Sequence, residues 1–163
     1  MTSYRYLTPE WLEESNRDYH STPVFEEKLK KLTARLCYRV NAEPAWGIDR
    51  DIIFGTFFDQ GKLTKMDYFT EEGAWSAEYI VAAPPQEWKR ILRRESKFLT
   101  DYMLKKIVLE QGTHKGILSV APHATNIVEF LTQVDLQFPD EMSEKELADY
   151  RSYIEEFRAE RGV

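Results

Sequence analysis

The chain has 163 residues, which fits one domain, and its 42% hydrophobic and 31% charged residues allow a substantial core in a soluble protein. The formal net charge of −6 argues against sequence-independent nucleic-acid binding, which needs a basic surface to displace counterions from phosphates. The single cysteine, Cys37, excludes a disulfide framework or a cluster of thiolate metal ligands within the chain.

Two helices are predicted near the start of the chain. Each begins with a threonine followed by a proline, Thr8-Pro9 and Thr22-Pro23, which suit the N-cap and the first helical position. The first of these helices is expected over about residues 8–18. After Arg35 the hydrophobic period changes to the alternation of a half-buried strand, one face of which consists of Leu36, Tyr38 and Val40.

Three further strands are predicted shortly after the first. They span about residues 51–59, 63–69 and 78–83, and the turns between them contain glycine. Strands so close together in sequence most simply form an antiparallel meander.

The second half of the chain is predicted to be mainly helical. One amphipathic helix is expected over residues 85–94 and a longer one over 100–111, which Gly112 ends. Residues 116–120 are expected to form a short fifth strand, and another helix begins at Pro122.

The last helix is expected over residues 143–161. It begins with a capping box, in which Glu146 follows Ser143 by three residues. Because the strands are grouped before most of the helices, the order of elements predicts an α+β fold rather than an alternating α/β fold. One face of this helix could close a cavity, dock on its own domain or meet a second subunit, and it consists of Leu147, Tyr150, Ile154 and Phe157.

This order of elements resembles the sterol carrier protein 2 family, the SCP2 sterol-binding domain, over about residues 25–134. The strands that resemble the family's meander are Leu36–Val40, Ile52–Phe58, Lys62–Phe69 and Ala77–Ala83. Residues Trp88–Leu92 resemble its helix after the sheet. The segment from Ser96 to Leu104, continuing to Gly116–Val120, resembles its second helix and final strand.

The resemblance implies a five-stranded, mainly antiparallel sheet covered by helices, with a hydrophobic tunnel between them. In that family the tunnel takes sterols, fatty acids or fatty acyl-CoA, and the domain itself is not catalytic. We therefore expect residues 1–163 to form a single lipid-binding domain without a cofactor, whose terminal helices at 8–18 and 143–161 extend the core.

The walls of the tunnel are expected to come from the sheet and from the helices after it. In the helix predicted over 100–111, Leu104 and Val108 lie about 100° round from the stripe that would face the sheet, so they widen its apolar surface. Two-sided packing in an ordinary core or a dimer would give the same pattern. The predicted ligand-binding residues are Phe54, Phe58, Met66, Tyr68, Trp88, Leu92, Met103, Leu104, Ile107 and Val108.

Charge is unevenly distributed along the chain. Residues 86–106 are rich in lysine and arginine, whereas residues 135–163 are rich in acids. The basic stretch is expected to meet the headgroups of an anionic membrane surface transiently or the phosphates of coenzyme A. Solvated helix faces, or pairing of the two segments with each other, would explain it equally well. The basic residues predicted to contact the membrane surface are Lys89, Arg90, Arg93 and Arg94.

Two other functions remain open at this stage. A small lyase, isomerase or cyclase would need an acid or imidazole in an aromatic cavity, for example His123 or Glu110. A subunit that self-associates through its apolar stripes, for example as a homodimer, is the third interpretation. No metal-binding spacing and no glycine-rich phosphate loop occurs, and Cys37 in its strand is expected to be buried and inert.

The N-terminal residues are polar and charged and contain no apolar segment of the kind found in signal peptides. No stretch approaches the ~20 apolar residues of a transmembrane helix. Together with the single cysteine, these features predict a cytoplasmic protein.

Overall fold

A five-stranded mixed sheet is the centre of the fold in the computed structural model, which describes residues 2–163. In spatial order its strands are β4 (Lys62–Phe69), β3 (Ile52–Asp59), β2 (Ala34–Val40), β5 (Tyr79–Ala83) and β6 (Val108–Gln111). Strands β4, β3 and β2 are mutually antiparallel, β5 is parallel to β2, and β6 is antiparallel to β5. The predicted α+β fold with five mainly antiparallel strands is confirmed.

The simple meander is wrong at its fourth strand. Strand β5 does not pair with β4 but crosses to the free edge of β2, where Leu36 faces Tyr79 and Val40 faces Ala83. This pairing satisfies backbone groups of β2 that β3, on its other edge, cannot reach. The short helix α3 (Glu71–Ala74) lies in the connection between β4 and β5.

Helices cover the front face of the sheet, which carries the larger core. Their bounds are α1 (Pro9–Ser21), α2 (Pro23–Lys28), α4 (Pro85–Leu92), α5 (Phe98–Met103), α6 (His114–Val120), α7 (Ala124–Leu131) and α8 (Glu144–Arg161). The predicted N-terminal and C-terminal helices are thus confirmed, and both hydrogen bonds of the capping box at Ser143 and Glu146 are present. No helix within residues 2–163 is both long enough and apolar enough to cross a membrane.

The expected helix over 100–111 and the expected strand over 116–120 are both wrong. Helix α5 stops at Met103, the chain turns with Lys105 in the left-handed region (φ 63°), and residues 108–111 form the fifth strand. Residues 114–120 are helical instead, because the Thr113 side chain caps that helix by accepting from Gly116 N at 3.0 Å. The exposed edge of β5 needs a partner, and this tertiary demand overrides the local helical pattern.

A second, two-stranded parallel sheet joins the two ends of the chain. Strand β1 (Ser3–Arg5) pairs with β7 (Asp135–Gln137), so that Tyr4 lies opposite Leu136. Neither strand was predicted, since each has only three residues and too little alternation to be recognised.

The back face of the sheet carries a smaller core. Cys37, Ile53, Phe69 and Ile80 pack there with Ala74 of α3 and Ala77 of the following turn. The larger front core includes the fully buried rings of Trp11, Phe25, Phe130 and Tyr150. The sheet is therefore a two-sided layer, and the front core lies between the sheet and the helices.

Candidate functional site

An internal cavity of about 70 Å³ lies in the front core, between the sheet and helices α4, α6 and α7. The sheet contributes side chains from β2, β3 and β5 on one side of the cavity, and the helices contribute the opposite side. Its walls are formed by Tyr6, Leu36, Tyr38, Phe54, Val81, Trp88, Ile91, Leu92, Phe98, Ile117, Val120, Ala124, Ile127, Val128 and Leu131.

The sequence positions these walls through ordinary periodicity. On β2, alternation sends Leu36 and Tyr38 to the front face while Cys37 points to the back. On α4, Trp88 lies three and four residues from Ile91 and Leu92, so all three face the sheet side. The Trp88 indole Nε1 donates to Arg39 O at 3.0 Å, which satisfies the one polar atom of that side chain.

The cavity is small in this conformation. Sites that hold drug-sized ligands usually enclose roughly 300–1,000 Å³, whereas this space is about 70 Å³. It has room for a few water-sized groups, not for an acyl chain or a sterol. The expected open tunnel is therefore not what the described residues enclose in this conformation.

A surface cleft of about 410 Å³ adjoins the cavity. The two spaces share four wall residues, which are Ile91, Phe98, Ala124 and Val128. Because these side chains line both spaces, they lie where the cavity adjoins the surface cleft. We call this group the partition; the cleft outside it also borders two basic residues, Arg94 and Lys97.

The chemistry of the cavity wall is apolar and aromatic. None of its 15 lining residues within 2–163 carries a carboxylate, an imidazole or a cationic group. Burial raises the pKa of the Tyr6 and Tyr38 phenols, which therefore stay neutral at physiological pH. The Tyr38 hydroxyl shares a hydrogen bond of 2.8 Å with Thr56 Oγ1. Such a wall can take up an apolar guest by the hydrophobic effect.

The two bases proposed for an enzyme lie outside this cavity. Glu110 Oε1 accepts from Arg39 Nε at 2.8 Å, on the back face of the sheet. His123 belongs to the 3₁₀ turn Ala121–His123 and does not line the cavity wall. The lyase, isomerase or cyclase interpretation thus loses the residues named for it.

Three of the ten predicted ligand-binding residues line the cavity: Phe54, Trp88 and Leu92. Phe58, Tyr68 and Ile107 are buried elsewhere in the same core, and Met66 is partly buried against it. The Tyr68 hydroxyl, for example, donates to Leu7 O at 2.6 Å.

The prediction of an internal position is wrong for Met103, Leu104 and Val108. Their exposed fractions are 59%, 61% and 56%. Met103 is the last residue of α5, Leu104 lies in the turn that follows, and Val108 is the first residue of β6, so the three do not share the face of one helix. Ile117 and Val120 line the cavity but were not among the predicted residues. Their three-residue spacing after a threonine that can cap a helix is the sequence signal that indicates α6.

The basic residues of α4 largely face acids. Lys89 and Arg93 meet the acidic 3₁₀ turn Pro139–Glu141, as the alternative of pairing between segments predicted. Arg94, which follows the helix, forms no ion pair among the described residues. The pairs are Lys89–Asp140 at 2.9 Å, Arg93–Glu141 at 2.9 Å and Arg90–Glu87 at 3.1 Å. In the described part of the chain, no group of three or more metal-ligating side chains is assembled.

Solved structures that share this fold include sterol carrier proteins. A crystal structure of sterol carrier protein 2 matches with a TM-score of 0.68 at 17% identity, covering 79% of this chain and 98% of that one. A solution structure from Thermus thermophilus, described as possibly a sterol carrier protein, matches with a TM-score of 0.68 at 19% identity, covering 83% and 94%. Sterol carrier protein 2 from Yarrowia lipolytica, in its apo form, matches with a TM-score of 0.51 at 11% identity, covering 74% and 88%.

The chain therefore has the sterol carrier protein 2 fold, and the resemblance inferred from its sequence is confirmed at that level. No protein-family model and no curated protein matches the sequence significantly.

Proposed function

We propose that this protein binds a hydrophobic ligand between the sheet and helices α4, α6 and α7, and transfers or presents it without chemistry of its own. The observation that carries the proposal is the uncharged, apolar cavity at the centre of a sterol carrier protein 2 fold. Sterols, fatty acids and fatty acyl-CoA are the ligand classes considered. Burial in such a cavity stabilises a ligand by roughly 0.8 kcal/mol per CH₂ group.

Ligand entry requires the partition to move. Displacing Phe98 and Val128 would join the cavity to the cleft of about 410 Å³, and the combined space falls in the range of ligand sites. The helices that carry the partition are short, with eight residues in α4, six in α5 and eight in α7. Helices of this length depend on tertiary packing rather than on their own stability, so a ligand that replaces their contacts can shift them.

The rim of the cleft favours a ligand with an anionic end. Arg94 and Lys97 border the cleft, and neither has a carboxylate within 4.0 Å in the described part of the chain. A fatty-acid carboxylate or an acyl-CoA phosphate at the rim would meet these cations while its chain passes the partition. This orientation distinguishes such ligands from a sterol, whose only polar group is a neutral hydroxyl.

Two measurements on the purified protein test the proposal. Organic-solvent extraction followed by mass spectrometry identifies any lipid that was bound, and a fluorescent fatty-acid probe is titrated and then displaced with oleate, oleoyl-CoA and cholesterol. We expect saturable probe binding and displacement by at least one of the three lipids. Absence of saturable binding would contradict the proposal.

A variant locates the binding in the cavity. Val128→Trp enlarges a half-buried side chain of the partition and should weaken probe binding about tenfold or more, since it fills the route inward. Val24→Trp makes the same exchange at an exposed position of α2 and should bind as the parent protein does. Thermal unfolding of both variants checks that they are folded. Unchanged binding by a folded V128W protein would place the ligand elsewhere.

A further inference from the structure

Four large apolar side chains are exposed in α5, in the turn after it and at the start of β6. Leu99, Met103, Leu104 and Val108 have exposed fractions of 45%, 59%, 61% and 56%. Among residues 2–163 only two other large apolar side chains are comparably exposed, and both lie elsewhere. We call these four residues the apolar knob; single exposed apolar residues are common, but a cluster of this kind marks an interaction site.

The four side chains lie close together along the chain. Leu99 and Met103 are four residues apart on α5 and so lie on the same face. Met103 and Val108 border the same surface depression, and Leu104 follows Met103 directly. The knob thus combines exposed apolar side chains from helix, turn and strand within residues 99–108.

The backbone holds the knob outward. Asp101 is 1% exposed and accepts from Ser96 Oγ at 2.5 Å, and its carbonyl accepts from Lys106 N at 2.8 Å. Ile107, at 1% exposure, anchors the turn in the core. Since the residues on either side are fixed inside, exposure of Met103 and Leu104 is a property of the fold.

Three lysines lie next to the knob in the sequence, and two of them border the same surface depressions as knob residues. Lys97, Lys105 and Lys106 are exposed, and none has a carboxylate within 4.0 Å among the described residues, whereas most basic residues of α4 are paired. The whole chain carries a net charge of −6, so this surface is cationic against the overall sign of the molecule. Exposed apolar side chains beside unpaired lysines complement a lipid bilayer, which has an apolar interior and, when it contains anionic lipids, a negatively charged surface.

We propose that the apolar knob and its three lysines dock the protein on anionic lipid bilayers. Leu99, Met103 and Leu104 insert at the level of the acyl-chain boundary, and the lysines reach the headgroup phosphates with their aliphatic stems over the apolar surface. Leu99 and Lys97 also border the cleft outside the partition, so docking turns that cleft toward the membrane. The docking inference goes beyond the proposed ligand binding and does not depend on it.

A second copy of the chain fits this surface poorly. In a two-fold dimer the same patch meets itself, which would bring the lysines of both copies into one interface. Such like-charge contacts oppose association, whereas an anionic membrane is attracted by the same lysines.

Vesicle co-sedimentation tests the proposal. The purified protein is mixed with vesicles of phosphatidylcholine alone and with vesicles that also contain phosphatidylserine. We expect clear binding to the anionic vesicles, weak binding to the neutral ones, and release by added salt, because exposed charges are screened. Equal binding to both vesicle types, or no binding to either, overturns the proposal.

Matched variants separate the two parts of the surface. K105E/K106E should lower affinity for anionic vesicles about tenfold or more, since each lysine near such a surface contributes roughly fivefold. M103S/L104S should reduce it comparably by removing the inserted side chains. The controls are Lys31→Glu with Lys62→Glu, two exposed unpaired lysines elsewhere, and Trp75→Ser, an exposed apolar residue on another surface.

Two further outcomes would overturn the proposal that the knob docks on membranes. Control variants that bind vesicles as weakly as the knob variants would show nonspecific binding and overturn the assignment. A dimer by light scattering that M103S/L104S converts to a monomer would assign the knob to a second copy instead. Probe binding in solution should be unchanged in K105E/K106E, so failure of docking and failure of ligand binding are distinguishable.

Discussion

Arg39 is a buried cation held by carboxylates from three parts of the chain. Its guanidinium donates to Glu110 at 2.8 Å, to Glu71 at 2.6 Å and to Asp51 at 3.3 Å. Glu110 lies in β6, Glu71 lies in α3, and Asp51 directly precedes β3. The Arg39 side chain therefore links three elements on the back face of the sheet. Burying an arginine is tolerable here because its charge is paired and its donors are used.

Replacing Glu71 by glutamine should make stability less dependent on acid pH. Arg39 holds the pKa of Glu71 below its ordinary value of 4.5, so the ionised carboxylate stabilises the folded state above that pH. This contribution is lost as the pH falls through the lowered pKa. We expect E71Q to lose less than ~1 kcal/mol at neutral pH, because the Glu71 side chain is 63% exposed.

The measurement is urea unfolding of the parent and E71Q proteins at a series of pH values from neutral to strongly acidic. The difference in unfolding free energy should shrink as the pH falls below 4.5. Glu72→Gln, which removes an adjacent charge without an ion pair to Arg39, serves as control. A difference that stays constant over the whole range would contradict the assignment.

Cys37 should be unreactive in the folded protein. It is fully buried on the back face, and burial raises the pKa of its thiol to about 12. Because the thiolate is the reacting species, a thiol reagent at neutral pH should modify it slowly in buffer and rapidly in denaturant. Rapid modification without denaturant would show that the back-face core opens easily.

In residues 98–120, pairing with a distant strand determines the secondary structure. Two residues in the left-handed region, Lys105 and Gly112, bracket strand β6, with φ of 63° and 107°. These turns divide residues 98–120 into helix, strand and helix. The strand then completes the sheet, and helix α6 supplies Ile117 and Val120 to the cavity wall.

Gly112→Ala should be clearly destabilising. At φ 107° an L side chain is strained, and an added Cβ would overlap the Tyr79 ring and lie 2.9 Å from Glu78 O. We expect a loss of roughly 1–3 kcal/mol in urea unfolding. Gly162→Ala is the matched control, because that glycine also has positive φ (70°) but no atom within 4 Å of the added Cβ. Equal losses in the two variants would show that the contact with Tyr79 is not responsible.

At the scale of the whole molecule, the two ends of the chain close the front core. The predicted C-terminal stripe docks on its own domain: the Tyr150 hydroxyl donates to Tyr6 O at 2.5 Å, and the Phe157 ring lies 4.9 Å from that of Tyr68. Neither Tyr150 nor Phe157 lines the cavity. The C-terminal stripe thus closes part of the front core rather than the mouth of the cavity.

Ligand binding should raise the stability of the whole molecule. A ligand that binds only the folded state adds about 2.7 kcal/mol at a free concentration of one hundred times its Kd. We expect oleate, if it displaces the fluorescent probe, to raise the Tm by several degrees in the parent and Val24→Trp proteins and far less in Val128→Trp. Equal Tm shifts in all three proteins would place the stabilising site outside the cavity.

Local chemistry in the sequence determined much of the fold. Threonine–proline starts and the capping box at Ser143 located the terminal helices, and alternation in residues 36–40 separated the two faces of β2. These signals act between residues a few positions apart, so the amino-acid order alone expresses them. Of the ten residues predicted to bind a ligand, however, only Phe54, Trp88 and Leu92 line the cavity.

Only the tertiary structure decided which strand pairs with which and which residues line the cavity. The apolar residues from 99 to 108 suit a helix by propensity, but the free edge of β5 takes residues 108–111 as a strand and leaves Met103 and Leu104 in solvent. Likewise the crossing of β5 to β2 and the partition around Phe98 depend on contacts between distant segments. The backbone groups at the edge of a strand can be paired by a segment that is distant in sequence, so no short stretch of sequence identifies the partner strand.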